Sequence, residues 1–139
     1  MQTFVPLGAD FAGNARVLDR QRLGKQRVEG LQILNTLCGI SSGWRSHPIV
    51  KMWAGYENAL IDYVVAMCDE WISRGYKDTC REKVLAFREN LPAESGVPEW
   101  LHDVEVQESH RANLVRKLPE HYLVFWPNVD PSMEYKWVA

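Results

Sequence analysis

The stretch "PIVKMWAGYENALIDYVVAMCDEWISRG", residues 48–75, decides the fold class. Ile49, Met52, Trp53, Tyr56, Leu60, Tyr63, Val64, Met67 and Trp71 recur at spacings of three and four, the period of one apolar helix face. Pro48 suits a first helical position, and Gly75 suits the left-handed cap that follows Arg74. The pattern predicts one amphipathic helix over the whole stretch, with its aromatic residues in the core.

Working outward, Asn14 is a candidate N-cap for a helix running to Leu37, with Gly39 as its stop. Gly24 and Gly30 inside it imply a kink or a close approach to a neighbour. Asp78 or Thr79 can cap a shorter helix through Arg88. "ENLPAESGVPEW", residues 89–100, reads as a loop, and a further helix spans Val104 to Lys117 before Pro119. Residues 1–13, with Pro6, Gly8 and Gly13, form an irregular arm, and the aromatic end, broken by Pro127 and Pro131, is irregular too. No segment alternates in the manner of a strand. The expected architecture is all-α, a single compact domain (1–139) of three main helices with an irregular N-terminal arm and an aromatic C-terminal tail.

Composition narrows the function classes. At 139 residues, 46% apolar and 24% charged, the chain is an ordinary globular domain able to bury one core. A net charge of −2 makes it no polycation, so any nucleic-acid binding must come from a local patch. Cys38, Cys68 and Cys80 are odd in number and form no CxxC pair, which favours reduced thiols over a disulfide framework. His47, His102, His110 and His121 lack metal-ligand spacing, so no metal or other cofactor is expected. The opening "MQTFVPLGADF" lacks the basic end and apolar run of a signal peptide, and no stretch is long enough to cross a membrane. The expectation is a cytoplasmic protein.

The unusual element is "NARVLDRQRLGKQRVEGLQIL", residues 14–34. Arg16, Arg20, Arg22, Lys25 and Arg27 are opposed only by Asp19, although acids outnumber bases in the chain as a whole. A solvated helix face normally mixes signs, whereas a phosphate-binding face excludes acids. At about 100° per residue, Arg22, Lys25 and Glu29 share one face, and Arg16, Arg20 and Arg27 share another. Glu29 is flanked by Val28, Leu31 and Ile33, which puts it at the core boundary. There a carboxylate can be simply neutralised by Lys25 one turn earlier. It can also be tuned for proton transfer, or stabilise positive charge building at a sugar's anomeric carbon.

Weaker candidates lie elsewhere. His110 either orients a phosphate or shuttles protons, or is a surface histidine; Arg111, Arg116 and Lys117 either extend a DNA groove or serve solubility. Trp44 and Arg45, beside His47, lie in a loop, where functional residues concentrate; Trp44 either stacks on a displaced base or plugs the core edge. Tyr122, Phe125, Trp126, Tyr135 and Trp137 read first as packing.

The chain resembles the pyrimidine-dimer DNA glycosylase family of the phage endonuclease V type. That family's catalytic glutamate is preceded by Gln and Leu at eight and six residues, as Glu29 is by Gln21 and Leu23. "VKMWAGYENALIDYVVAMCDEWISRGY" resembles its long second helix with the closing Arg-Gly-Tyr, here Arg74, Gly75 and Tyr76. "SHRANLVRK", residues 109–117, resembles its later Ser-x-x-x-x-Leu-x-x-Lys helix, and an aromatic tail follows in both. "LDRQRLGKQRVE" looks like a bacterial branch.

The resemblance implies a helical repair enzyme, a monomer acting on double-stranded damaged DNA without a metal. An amine attacks C1′ of the damaged nucleotide, the base is expelled, a Schiff base forms, and β-elimination nicks the strand. Glu29 would be the catalytic carboxylate, and Arg20, Arg22, Lys25 and Arg27 would contact phosphates. The departure lies at the start of the chain. The family nucleophile is the α-amine of a small residue, whereas here residue 2 is Gln and the arm before the helix is longer. The amine is then that of Met1, that of Gln2 or the side chain of Lys25, unless the catalytic amine is lost. An α-amine is the better nucleophile near neutral pH, with an ordinary pKa near 8 against about 10.4 for lysine.

Overall fold

The computed structural model describes residues 1–92 and 96–138. Its helices are α1 (Phe11–Val17), α2 (Arg20–Leu37), α3 (Pro48–Trp53), α4 (Glu57–Ser73), α5 (Cys80–Ala86), α6 (Val104–Lys117) and α7 (Pro119–Tyr122), with 3₁₀ turns at Phe87–Asn90 and Glu99–His102. Among the described residues there is no strand, so the architecture is all-α. Part of the loop read over 89–100, residues 93–95, lies outside the described residues.

The central element is α4. Leu60, Ile61, Tyr63, Val64, Met67 and Cys68 are all fully buried along it, and α1, α2 and α5 pack around it. The two glycines of α2 mark where it meets α4. A Cβ on Gly30 would lie 2.3 Å from Val64 Cγ2, and one on Gly24 would lie 3.1 Å from the Trp71 ring. These glycines therefore serve close approach, and α2 runs unbroken through both.

Two long helices expected from the sequence are each broken. The first divides at Leu18 and Asp19, both in extended backbone. Asn14 is not a cap: it is buried inside α1, accepting the Leu7 N–H at 2.7 Å and donating to the Gly8 carbonyl at 2.9 Å. The break persists because its polar groups are satisfied. The Arg74 guanidinium donates to the carbonyls of Ala15, Arg16 and Leu18, at 2.8 Å for the last, and the His121 ring nitrogen lies 2.8 Å from the Val17 carbonyl. Asp19 then caps α2, and the Tyr122 hydroxyl both accepts the Asp19 N–H and donates to its carboxylate. Burial pushes the Asp19 carboxyl up, but the Tyr122 hydroxyl and Arg22 outweigh it and hold the pKa below the ordinary value.

The second long helix breaks at Ala54–Tyr56, where Gly55 takes φ +86°, leaving α3 as a separate turn and a half before α4. Its far end closes with Gly75 at φ +94°, the Gly75 N–H on the Ile72 carbonyl and the Tyr76 N–H on the Trp71 carbonyl. Helix α5 begins after Thr79, whose side chain makes no cap bond; Asp78 instead accepts the Arg81 N–H at 2.9 Å. All three cysteines are free.

Replacing Gly30 with alanine gains helix propensity of about 1 kcal/mol but drives a methyl into Val64. The net expectation is a loss of about 1–2 kcal/mol, the usual cost of overpacking offset by that gain, measured by urea unfolding. Gly30→Ala combined with Val64→Ala should recover part of it.

Candidate active site

Because the arm, residues 2–7, has no helix or sheet to satisfy its backbone, its polar groups need side-chain partners. Five helices supply them, α1 through Asn14 on the Leu7 N–H and four others. The Gln2 carbonyl accepts from Gln26 Nε2 at 3.1 Å, and the Phe4 N–H donates to Gln26 Oε1 at 2.8 Å. The Trp53 indole donates to Thr3 Oγ1 at 3.0 Å, and the Tyr63 hydroxyl lies 2.8 Å from the Phe4 carbonyl. His110 Nδ1 accepts the Val5 N–H at 2.9 Å, and Arg111 Nε donates to the Pro6 carbonyl at 2.9 Å.

Gln26, only 1% exposed, is the centre of this arrangement. Its two amide hydrogens go to the Gln2 carbonyl and, at 3.0 Å, to Glu29 Oε2. Its oxygen accepts from the Phe4 N–H and lies 2.6 Å from the Tyr63 hydroxyl. All four hydrogen-bonding positions of the amide are used, which fixes which end is oxygen. A single nitrogen thus joins the start of the arm to the half-buried carboxylate of Glu29.

Other groups close around the same place. Burial pushes the Tyr63 hydroxyl well above its ordinary pKa, with Tyr135 and Glu29 adding to the effect. Burial and then Glu29 raise Tyr135. Burial and the N-terminal ammonium hold His47 below the ordinary imidazole range. His47 caps α3, its Nδ1 accepting the Ile49 N–H at 3.0 Å, and its ring meets Trp44 at 5.9 Å and Trp137 at 5.5 Å between centroids. Met1 is partly buried against the core at this corner.

The expected site residues separate into distinct places. Glu29, Lys25 and Arg20 line one open groove of about 640 Å³ with Gln21, Gly24 and Trp71. Arg20 and Lys25 face no carboxylate within salt-bridge distance among the described residues. The break at Leu18 separates Arg16 from the face it shares in the sequence pattern with Arg20 and Arg27, while Arg22, Lys25 and Glu29 all stay on α2. Arg16 belongs to α1, in a groove lined by Asp62, Asp69 and Glu70. Arg22 folds back on Asp19 at 3.3 Å. Arg27 is ion-paired with Asp78, whose side chain is 1% exposed, and stacks on Trp71 with its guanidinium 4.3 Å from the ring centroid. Its charge is consumed inside the fold.

His110 is fully buried, so its imidazole cannot reach a phosphate; burial lowers its pKa to about 3. Arg111 lies over Trp126 at 5.6 Å while holding Pro6, and Arg116 donates to the carbonyls of Pro131 and Met133, anchoring the tail. Lys117 is exposed on the same helix. Trp44 is 55% exposed, which excludes the plug reading, and Arg45 beside it is exposed as well.

From the sequence, Gln26 is passed over, His47 is named only with the loop of Trp44 and Arg45, and Tyr135 is taken first as packing. For Gln26 a signal existed: Leu23, Gln26, Gly30 and Ile33 form one buried stripe, in which an amide is the misfit. No comparable signal marks Tyr135, whose position depends on the tail folding back.

The family model described as pyrimidine dimer DNA glycosylase matches residues 1–84, which include the arm, Gln26 and Glu29. No curated protein and no solved structure matches the chain. No helix among the described residues is long and apolar enough to cross a membrane.

Two outcomes follow. Gln26→Leu strands the Phe4 N–H and the Gln2 carbonyl, and should cost about 2–6 kcal/mol at roughly 1–3 kcal/mol per buried unpaired group; hydrogen exchange at Phe4 should rise with it. For His110, the folded pKa lies below the unfolded value near 6.5, so the unfolded chain binds the extra proton between those values. Stability is then intact above pH 6.5 and falls, by at most about 1.4 kcal/mol per pH unit, as pH drops toward 3. His110→Asn, which keeps an acceptor for the Val5 N–H, should flatten that slope in urea melts at pH 7 and pH 5.

Proposed function

The chain belongs to the pyrimidine dimer DNA glycosylase family, and on that premise we propose that it excises damaged pyrimidines through an imine intermediate formed by its N-terminal amine, with Glu29 as the catalytic carboxylate. The observation that carries this reading is the Gln26 amide, which holds the arm's first carbonyl and Glu29 on one nitrogen.

The chemistry divides among these groups. The neutral amine attacks C1′ of the damaged nucleotide, and the glycosidic bond breaks with its electron pair going to the base. The base takes up a proton, which the attacking nitrogen releases. The C1′–O4′ bond then opens as the C=N bond forms, and O4′ is protonated. Removing a C2′ proton expels the 3′ phosphate and nicks the strand, so the enzyme is a glycosylase with lyase activity. A fixed carboxylate opposes the positive charge at C1′ in the first step and accepts the C2′ proton in the last. Arg20 and Lys25, with no carboxylate within salt-bridge distance among the described residues, suit flanking phosphates on a duplex. Arg16 faces acids, while Arg22 and Arg27 are engaged within the fold, so none of the three shares that role.

Borohydride treatment with a duplex carrying a thymine dimer should trap a covalent adduct on the N-terminal peptide. Glu29→Gln should lower the single-turnover rate at least about 10²-fold, in the range of general acid–base contributions. An adduct on the Lys25 peptide would transfer the nucleophile to that side chain. Salt-dependent DNA binding without base release would instead identify a non-catalytic binding module.

A further inference from the structure

The corner that follows α7 leaves apolar side chains in water. Leu123, Val124 and Phe125 are consecutive and all exposed, Val124 at 78% and Phe125 at 45%. The corner is nevertheless well fixed. The Leu123 N–H donates to the Pro119 carbonyl, and the Phe125 and Trp126 N–H groups both donate to that of Tyr122. The Trp126 ring lies parallel to the buried Tyr122 ring, at 5.8 Å between centroids. Single apolar residues scattered over a surface are ordinary, whereas a contiguous run held out in water marks an interaction surface.

Phe125 also lines a hollow of about 500 Å³ between α6 and the tail, with Trp126, Val129 and Met133 as further apolar walls. Its charged groups are Glu108, Arg111 and Asp130, and they are unequally available. The Arg111 guanidinium is spent on the Pro6 carbonyl and the Trp126 ring. Glu108 and Asp130 are exposed, and neither has a cation within salt-bridge distance among the described residues. Asp130 is held in direction by Ser132, whose N–H and hydroxyl donate to its Oδ1 at 3.0 and 2.6 Å. The hollow therefore offers an apolar lining beside two carboxylates that lack a counter-charge. Those carboxylates repel a phosphate backbone, so this surface is no extension of the basic groove. What complements it is an apolar side chain next to a positive one. Its residues, 108–133, also lie outside the stretch 1–84 matched by the family model.

We infer that this hollow docks a partner protein through a short segment in which an aromatic or aliphatic anchor lies beside lysine or arginine. The anchor packs on Phe125 and Met133, and the cation is taken by Glu108 and Asp130. Neither carboxylate nor Phe125 takes part in the proposed reaction, so the inference stands or falls apart from it.

The test is a titration of the isotope-labelled full chain, followed by amide NMR, with capped synthetic peptides. The probe is Ala-Lys-Leu-Phe-Lys-Ala; the controls replace both lysines with glutamate, or the Leu-Phe pair with serines. The probe should shift the amides of residues 125–133 saturably, and each control should bind at least about 10-fold more weakly, as when an anchor or its charge match is lost. Phe125→Ser should weaken the probe by at least about 10-fold, the usual effect of removing an aromatic anchor. Glu108→Gln, a change on an exposed helix face, should weaken it by about 2- to 5-fold, the range of a solvent-exposed ion pair. Matching thermal melts show that both variants are folded. Equal binding of the acidic peptide, shifts centred elsewhere on the molecule, or undiminished binding in both variants would overturn the inference. So would a dimer in sedimentation that Phe125→Ser abolishes, since the surface would then belong to a second copy of the chain.

Discussion

Everything at the functional end of this molecule depends on one buried amide. Gln26 sits on the face of α2 that packs against α4, where an apolar side chain would ordinarily be found. An unpartnered amide there would destabilise the fold, so its four hydrogen-bonding positions require four partners. The arm supplies two, Glu29 and Tyr63 the others. The need works in both directions, because the arm also lacks partners of its own. Arm and helix therefore order one another, and the carboxylate is oriented as a by-product.

The same logic governs the charges of the basic helix. Positive residues at similar spacing acquire different fates according to what lies opposite. Arg27 meets Asp78 and the Trp71 ring, Arg22 meets the Asp19 cap, and Arg16 falls on the other side of a helix break. Only Arg20 and Lys25 share the open groove with Glu29. A local excess of charge in a sequence thus overstates the charge presented to a polyanion, since a fold consumes part of it in capping and buried pairing.

This accounts for what could be read directly. The all-helical class, the α6 boundaries and the Gly75 stop follow from periodicity and caps within a few residues of each other. Glu29 at the core boundary was legible from Val28, Leu31 and Ile33 around it. The break at Leu18 was not, because it is stabilised by Arg74 and His121, far along the chain. His110 looked like a surface residue on a polar helix, and only the arm packing across it explains its burial. Tyr135 and Trp137 reach the site because Lys136 is held by Asp103 and Glu105 while Arg116 fixes the carbonyls before it. Each of these three is a long-range contact overriding a sound local preference, whereas the break at Gly55 is local.

The arm's partners are spread through the chain, with the Val5–His110 bond spanning 105 residues. A chain emerging from the ribosome presents its first residues long before α6 exists to receive them. The α1–α2–α4 core can form early, from contacts within the first half, while the Val5–Pro6 end of the arm waits. The Val5 and Pro6 end of the arm is therefore seated last, after the Gln2 end can already meet Gln26. A chain interrupted before α6 would carry Glu29, the basic groove and the partners of Gln2, Thr3 and Phe4, but lose those of Val5 and Pro6.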